Sequence, residues 1–475
     1  MKRIKFLGGA GLILFCAAFV FGEVITIEQY MEIVEKNNPQ MHAISAQIEA
    51  TKNQLAQTER GITPFALTAG GNYTQDSFSG LSQGYDKINT TGYNLGITKQ
   101  FITGTNISVG GSGSEASYNS NAADPNRNVN TLAPFVSVQQ SLWKDFIWGY
   151  SYYSIEAAKS SIKATLYNLE YQKQQFIVSA RAAYWNLSYA KANTEYKLAS
   201  YDRYQQLLTW NEKRYKLDLG DRADLLQAQA TQKTGELALR VAESSQRQAQ
   251  TTFNQFINAD ENSSQYDVVD FEESATQYIN MKTIEKKRTR ADVLAAMENA
   301  KAAEYNQKAN INNSGIDVVL NGKYTANGSG EYFSDAQKVD KPVYVVGAVL
   351  TVPLDFSRWS KINESYKQTA IAAKKSAEQA ISQEKTDWAN LVDSWQTDML
   401  NYELSDAAKN YQQQYVDENR RLLERGRTTT NILIQSEESL DISILLVLSA
   451  VYNVIMDYEK ANILYNNQQG MEEVK

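Results

Sequence analysis

The sequence predicts a mainly α-helical fold with a small antiparallel β part, built on long helical hairpins. Three observations predict it. The 475 residues contain only six prolines, so a long helix meets few breakers. Two long stretches have helical character, and they end near Gly220 and Gly426. A pattern of alternating apolar and small or polar residues, typical of a half-buried strand, occurs in both halves of the chain.

Composition excludes several classes of function. The net charge is −7 and 21% of the residues are charged, so there is no basic excess and nucleic acid is not an expected partner. Cys16 and His42 are the only residues of their types, so the chain cannot build a Cys/His metal site or an internal disulfide. We predict no catalytic residues, no metal and no cofactor, although composition leaves an enzyme based on carboxylates open.

The first 22 residues predict a signal peptide. A positively charged start is followed by an apolar stretch from Phe6 to Phe21 and by the small residue Gly22, as at a signal-peptidase site. The mature chain is then 23–475. Two alternatives remain open at this point: an uncleaved anchor helix, and a lipid attached to Cys16.

An internal repeat organises the mature chain. The strand pattern of Phe65–Thr74 returns 251 residues later in Ile316–Thr325, and Val138–Leu142 returns 212 residues later in Leu350–Leu354. Each first strand follows a helical stretch, Ile25–Arg60 in one half and roughly Lys282–Asn310 in the other. We predict two repeats, about 23–270 and 271–475, with β segments near 63–75, 88–112, 133–143, 316–326 and 343–354.

The two helical arms are unusually long. From Leu354 to Gly426 there are 72 residues, and an unbroken helix of that length is roughly 100 Å long. A compact globular domain has no use for such a helix, whereas a barrel or coiled coil that spans the periplasm does. Apolar residues lie on more than one face of the first arm, as in a helix packed on two sides. A regular heptad coiled coil is the alternative.

The order and spacing of several short motifs resemble those of the TolC-like outer-membrane efflux protein family, over nearly the whole mature chain. The motifs are Ile25–Tyr30 with Asn37–Gln40, Thr63–Leu67, Arg214–Ala228, Arg290–Val293 and Gly426–Thr429.

The resemblance implies a homotrimer in which three chains close one β-barrel in the outer membrane and one α-barrel across the periplasm. It implies a passive channel, the exit duct of a tripartite efflux pump or type I secretion system, that works with a periplasmic adaptor and an inner-membrane transporter. Physics agrees, because lipid does not tolerate the open edges of a few strands. The alternative is a non-conducting helical periplasmic spacer.

One segment distinguishes the two repeats. The first strand pattern returns after 251 residues and the second after only 212. The first half therefore has about 39 more residues between its two strand patterns than the second half, roughly Ile88–Asn128. They predict an extra hairpin around Thr103-Gly104, followed by a polar loop rich in Gly, Ser and Asn. Whether the segment adds barrel strands or a surface loop is open at this point.

The helix tips are the predicted periplasmic gate, since the resemblance implies that polar contacts between neighbouring hairpins close the entrance there. The first tip carries Asp218, Gly220, Asp221 and Asp224, and the second carries Arg425, Gly426, Arg427 and Asn431. The opposite charges predict ion pairs, with solvated turn charges as the alternative. Two positions depart from the family: Asn431 stands where a pore acid is expected, and Asp218 stands where a glycine is usual.

Aromatic residues cluster where strands give way to arms: Trp143, Phe146, Trp148, Tyr150, Phe356 and Trp359. Because Trp and Tyr favour the membrane–water interface, they predict an aromatic girdle, with core packing at a bend as the alternative. A second apolar stretch, Leu440–Tyr458, is interrupted by Asp441, Asn453 and Asp457. It predicts a buried helix rather than a membrane span.

Overall fold

The computed structural model describes residues 23–59, 65–77, 85–120 and 126–466. The predicted signal peptide and Thr63-Pro64 lie outside the described residues. The described chain divides into two units. The helical unit contains residues 23–44, 173–288 and 388–466, and the strand-bearing unit contains the described residues of 45–172 and 289–387.

Long helices dominate the chain, which confirms the predicted mainly α-helical class with an antiparallel sheet. The helices are α1 (Ile27–Asn37), α2 (Pro39–Glu59), α3 (Tyr150–Lys216), α4 (Arg222–Phe256), α5 (Phe271–Ile279), α6 (Ala291–Asn313), α7 (Phe333–Ala336), α8 (Phe356–Glu424) and α9 (Thr430–Tyr465). The strands are β1 (Glu23–Ile25), β2 (Ala66–Ser77), β3 (Tyr85–Gln100), β4 (Thr105–Ser120), β5 (Arg127–Ser141), β6 (Tyr266–Val268), β7 (Asp317–Gly330) and β8 (Lys341–Thr351). The arms α3 and α8 have 67 and 69 residues.

An aromatic core holds the helical unit together. Tyr30 is fully buried and stacks on Phe253, with ring centroids 4.5 Å apart. Nearby, the buried carboxylate of Glu459 accepts two hydrogen bonds of 2.9 Å from Arg181 and one of 3.2 Å from Tyr278. This pairing satisfies a charge that would otherwise be costly to bury. β1 pairs in parallel with β6, a small sheet that the sequence did not predict.

The strand-bearing unit contains one six-stranded sheet in the order β2-β3-β4-β5-β7-β8, with all neighbours antiparallel. Its two faces differ in chemistry, as the register shows. One face, called here the apolar face, carries Leu67, Tyr93, Leu95, Val109, Val136, Val138, Leu320, Tyr324, Tyr344 and Val346. On β2 to β5 and in part of β7, the other face carries mainly small polar residues, among them Thr68, Asn94, Ser108, Ser112, Ser137 and Asn321, whereas β8 places Val343, Val345 and Val349 on it. In the described chain, the outer edges of β2 and β8 pair with no strand.

The extra segment of the first repeat forms strands inside the sheet. A hairpin does turn around Thr103-Gly104, but the expected polar loop was wrong, because the Gly/Ser-rich residues Gly110–Ser120 belong to β4. Small residues are needed there for packing. A Cβ on Gly113 would lie 2.3 Å from the Tyr93 ring, and one on Gly110 would lie 2.5 Å from the Leu95 carbonyl oxygen. Since β4 lies between β3 and β5, the segment is not a surface insertion.

The helix that precedes the second repeat's first strand is shorter than predicted. We expected it from about Lys282, whereas α6 starts at Ala291 and residues 282–290 are not helical. At its start, the Arg290 N–H donates to Glu384 on α8 at 2.7 Å, and the Arg290 guanidinium binds Asp292 and Asp387. These long-range contacts fix the helix start, and local periodicity does not reveal them.

Two glycines of the sheet give a matched test of its packing. Gly110→Ala places a Cβ against backbone atoms at 2.5 and 2.8 Å, whereas Gly322→Ala meets nothing within 4 Å. We expect Gly110→Ala to destabilise the sheet by about 1–3 kcal/mol because the strands have to shift. Gly322→Ala should be neutral or slightly stabilising. The measurement is the temperature midpoint for loss of the β circular dichroism signal in detergent, and equal midpoints for the two variants would contradict the packing argument.

Candidate functional site

The first tip is the turn between α3 and α4. Asp218 has a φ of +57°, and Gly220 is not among the described residues with positive φ. Asp tolerates this left-handed conformation better than most side chains do. Asp218 therefore adopts the conformation that a glycine usually provides, at the position where the resemblance places the family's glycine. Arg214 closes the turn by donating to the Leu219 carbonyl at 2.8 Å, while its guanidinium lies over the Trp210 ring.

The second tip is the turn between α8 and α9. Gly426 has a φ of +67°, and a Cβ there would meet nothing, so its role is conformational rather than steric. The Arg427 N–H donates to the Leu422 carbonyl at 2.8 Å, which satisfies an orphan carbonyl at the end of α8. Thr429 caps α9 by accepting from the Ile432 N–H at 3.4 Å.

The tips contact each other through amides rather than through the predicted charges. Asn431 accepts a hydrogen bond of 2.6 Å from Gln227, which joins α9 to α4. Within the described chain, neither Asp221 nor Asp224 forms an ion pair with Arg425 or Arg427. Nearby ion pairs join Arg421 to Glu418 and Arg420 to Glu437.

Behind the second tip, two acids of α9 are buried among cations from other helices. Glu437, with 4% of its side chain exposed, binds Arg203 of α3 at 2.7 Å and Arg420 of α8 at 2.7 Å. One carboxylate thus joins three helices. Truncating one partner of such a group leaves an uncompensated buried charge, so the arrangement opposes separation of these helices.

Asp441, one turn further along α9, is surrounded by donors from α3. It accepts from Tyr196 at 2.6 Å, Ser200 at 2.5 Å, Tyr204 at 3.2 Å and Arg203 at 3.0 Å. Burial, together with the neighbouring carboxylate, raises the pKa of the Tyr196 and Tyr204 hydroxyls well above the ordinary value. Both phenols therefore stay protonated as donors to Asp441. We call these residues, with Glu437 and Arg420, the Glu437–Asp441 network.

Apolar packing surrounds the network. A cluster of buried side chains joins the same three helices, with Trp210 and Ile444 packed against it: Leu207, Val416, Leu423, Leu433, Ile434 and Leu440. A cavity of about 190 Å³ lies beside Arg203, Trp210 and Glu437.

Sequence reasoning missed this network. The signal was present, because Glu437 and Asp441 are spaced i, i+4 in a helix rich in apolar residues, and Tyr196, Ser200, Arg203 and Tyr204 recur on one face of α3. From the apolar pattern alone, Asp441 is only an interruption of the stretch Leu440–Tyr458. α9 is also a helix long and apolar enough to cross a membrane by length and composition, although 56% of its most apolar window is buried.

The predicted girdle residues lie in the strand-bearing unit. Trp143, Phe146 and Trp148 are exposed in the segment between β5 and α3, where Trp143 reaches 71% exposure, and Tyr150 is half-buried at the start of α3. Phe356 and Trp359 are exposed at the start of α8. Core packing within the chain therefore does not explain the exposed members of this set.

The network can be tested with two acids of the same helix. Asp441→Asn removes the charge of a carboxylate that accepts four hydrogen bonds. We expect the free energy of unfolding to fall by about 1–3 kcal/mol. Glu438→Gln removes an exposed acid three residues earlier and should change it by less than about 0.5 kcal/mol. The measurement is the denaturant midpoint of the full chain in detergent. Equal losses for both variants would show that the network does not stabilise the helices.

No protein-family profile matches the chain, and no curated protein matches its sequence. Solved structures do match it. The outer membrane protein VceC from Vibrio cholerae is 16% identical, covers 93% of this chain and 97% of its own, and has a TM-score of 0.68. The MtrE outer membrane channel of Neisseria gonorrhoeae, in its open state, is 17% identical. The match covers 93% of this chain and 90% of MtrE, with a TM-score of 0.64. The CmeC outer membrane channel of Campylobacter jejuni is 14% identical, and the match covers 94% of this chain and 88% of CmeC with a TM-score of 0.62. This chain therefore has the fold of outer-membrane channel proteins over more than nine-tenths of its length.

Proposed function

We propose that the protein is a homotrimeric channel of the outer membrane that extends into the periplasm, and that it serves as the passive exit duct of a tripartite efflux pump or type I secretion system. A periplasmic adaptor and an inner-membrane transporter would supply the energy and the choice of cargo. The sequence motifs and the fold shared with outer-membrane channels support this proposal. The observation that carries it is the open, two-faced sheet.

The sheet cannot be stable alone in either solvent. Its apolar face is largely exposed, with Val346 at 89% and Tyr344 at 73%, so water disfavours it. Its unpaired edges on β2 and β8 are disfavoured by lipid, since no water satisfies their backbone groups there. Closure with copies of the same chain solves both problems: edges pair, the apolar face meets lipid, and the small polar residues line the interior.

The helical unit offers a matching pair of surfaces. Exposed apolar residues form one stripe on α4, Leu226, Leu237 and Val241, and another on α8, Leu400, Leu404, Tyr411 and Tyr415. Two different stripes on one chain suit a head-to-tail contact, in which α4 of one copy packs on α8 of the next. Contacts of this kind generate closed rings when the rotation closes.

Conductance of the purified full chain in planar bilayers is the deciding experiment. A channel should give stepwise currents, and the protein should require detergent for extraction and migrate as a heat-resistant trimer. A monodisperse monomer in plain buffer would overturn the proposal. A trimer that enters the bilayer without current would favour the non-conducting helical spacer instead.

The gate at the tips remains part of this proposal. Since Asp221 and Asp224 make no ion pair with Arg425 or Arg427 inside one chain, such pairs would have to form between neighbouring copies. Each exposed pair contributes only about 0.2–1 kcal/mol, but a threefold ring repeats it three times. The amide contact between Gln227 and Asn431 would add a neutral contact within each copy.

The double reversal Arg425→Glu with Arg427→Glu should open the tips, because it places like charges together. We expect a higher single-channel conductance than wild type at low salt and a smaller difference at high salt, since exposed charges are screened beyond about 10 Å at 0.1 M. The matched control reverses two exposed cations earlier on α8, Lys367→Glu with Lys375→Glu. If both double variants conduct like wild type at low salt, these arginines are only solvated turn residues.

A further inference from the structure

A single lysine lies in the middle of the sheet face opposite the apolar face, which is called here the polar face. At the paired positions of this face, four charged residues lie at or beside strand ends: Asp76, Arg127, Asp317 and Lys341. Lys323 is the one charged residue at a paired position away from the ends. It follows Asp317, the first residue of β7, by six residues, or roughly 20 Å along the strand.

The neighbours of Lys323 on the polar face are uncharged. Ser137 lies directly opposite it on β5, and Val345 lies directly opposite it on β8. Asn321 and Thr325 are its neighbours at alternate positions of β7. Lys323 is exposed, and among the described residues it forms no ion pair and no hydrogen bond. Its ammonium group therefore has no acid beside it that compensates the charge.

An aromatic ring holds this ammonium group against the sheet. The Lys323 Nζ lies 4.5 Å from the centre of the Phe135 ring, which belongs to the adjacent strand β5. On the other side of β5, Gly110 of β4 leaves space for the ring, since a Cβ there would lie only 3.2 Å from the Phe135 Cζ. The glycine thus makes room for the ring, and the ring in turn positions the lysine.

A cation–π contact differs from an ion pair in what it does to the charge. The negative face of an aromatic ring attracts an ammonium group, but the ring has no net charge. A carboxylate in the place of the ring would compensate the charge of Lys323, and the combined field would fall steeply with distance. On Phe135 the lysine keeps a fixed position and an uncompensated charge, which acts on any ion that passes in front of the polar face.

We propose that Lys323 is a specificity-determining residue that makes the strand-built part of the duct favour anionic solutes over cations; this rests on the proposed trimeric channel, in which the polar face lines the interior. Threefold symmetry places three ammonium groups at one level of that interior. Rings of basic side chains give pores a preference for anions. The rest of the polar face leaves this ring as the main fixed charge at its depth, because the other charged positions lie near the strand ends.

The expected size of the effect follows from Coulomb's law. Three copies of six strands, spaced about 4.8 Å apart at a tilt of roughly 40°, close at a radius of about 18 Å. A lysine side chain reaches about 6 Å inward, so each ammonium group lies roughly 12 Å from the axis. At about 0.01 M salt, where the Debye length is about 30 Å, three such charges favour an anion over a cation by about three- to tenfold.

The reversal potential of the full chain in planar bilayers, under a KCl gradient near about 0.01 M, measures this preference. We expect the ratio of chloride to potassium permeability to be about three- to tenfold higher in wild type than in Lys323→Gln. Lys323→Arg keeps the charge and should keep the wild-type ratio. At about 1 M KCl the Debye length is about 3 Å, so the difference between wild type and Lys323→Gln should disappear.

Two further variants separate the charge of Lys323 from other effects of substitution. Lys99→Gln is the matched control, because Lys99 also lies over an aromatic ring, Phe65 at 5.4 Å, but opposite Ile107 on the apolar face. It should leave the permeability ratio at the wild-type value. Ser137→Asp retains Lys323 and puts a carboxylate directly opposite it, so an ion pair should lower the ratio about as far as Lys323→Gln does.

Failure of this selectivity is distinguishable from failure of the channel. If the protein conducts and Lys323→Gln has the wild-type permeability ratio at low salt, the role of Lys323 is overturned and the channel stands. The same holds if Lys99→Gln lowers the ratio as far as Lys323→Gln does. If wild type gives no current in the bilayer, the channel and its selectivity fail together.

Discussion

The proposed assembly depends on one constraint: the unpaired backbone N–H and C=O groups on the two open edges of the six-stranded sheet need hydrogen-bond partners. β2 and β8 each present one unpaired side within the described chain, and the sheet between them has an exposed apolar face. Water disfavours the face, and lipid disfavours the edges. In the proposed trimer, pairing β8 of one copy with β2 of the next would satisfy both conditions.

In the helical unit, the Glu437–Asp441 network fixes how the long helices pack against one another. α9 is apolar enough to pass the length and composition test for a membrane span, yet two of its acids, Glu437 and Asp441, are buried against Arg203, Arg420 and three hydroxyl groups. A carboxylate satisfied in this way fixes the rotation of α9 against α3, since turning the helix would separate the charges. Apolar packing alone tolerates sliding far better, so these two buried acids supply register to a stretch of α9 whose other buried side chains are mainly leucine, isoleucine and valine.

The sequence predicted the long arms, the turns that end them and the approximate positions of the sheet strands because these features have local signals: few prolines, glycines near the ends of the arms, and period-two alternation. It failed where a residue is chosen by a distant partner. Gly110 and Gly113 suggest a loop by composition, but Tyr93 and the Leu95 carbonyl across the sheet require small residues there. α6 starts directly after Arg290 because the Arg290 N–H is bound by Glu384, 94 residues away. Asp441 was visible only as an interruption of an apolar stretch, since its four donors lie on another helix.

The unequal repeats also have a geometric consequence for a closed ring. Neighbouring strands are about 4.8 Å apart, so at a tilt of roughly 40° six of them cover about 38 Å of circumference. The long helices α3, α4, α8 and α9, packed at about 8–10 Å, cover roughly 32–40 Å. Without β3 and β4, four strands would cover only about 25 Å. In the proposed trimer, the hairpin of β3 and β4 would therefore make the width that each copy contributes to a ring of strands similar to its contribution to a ring of helices.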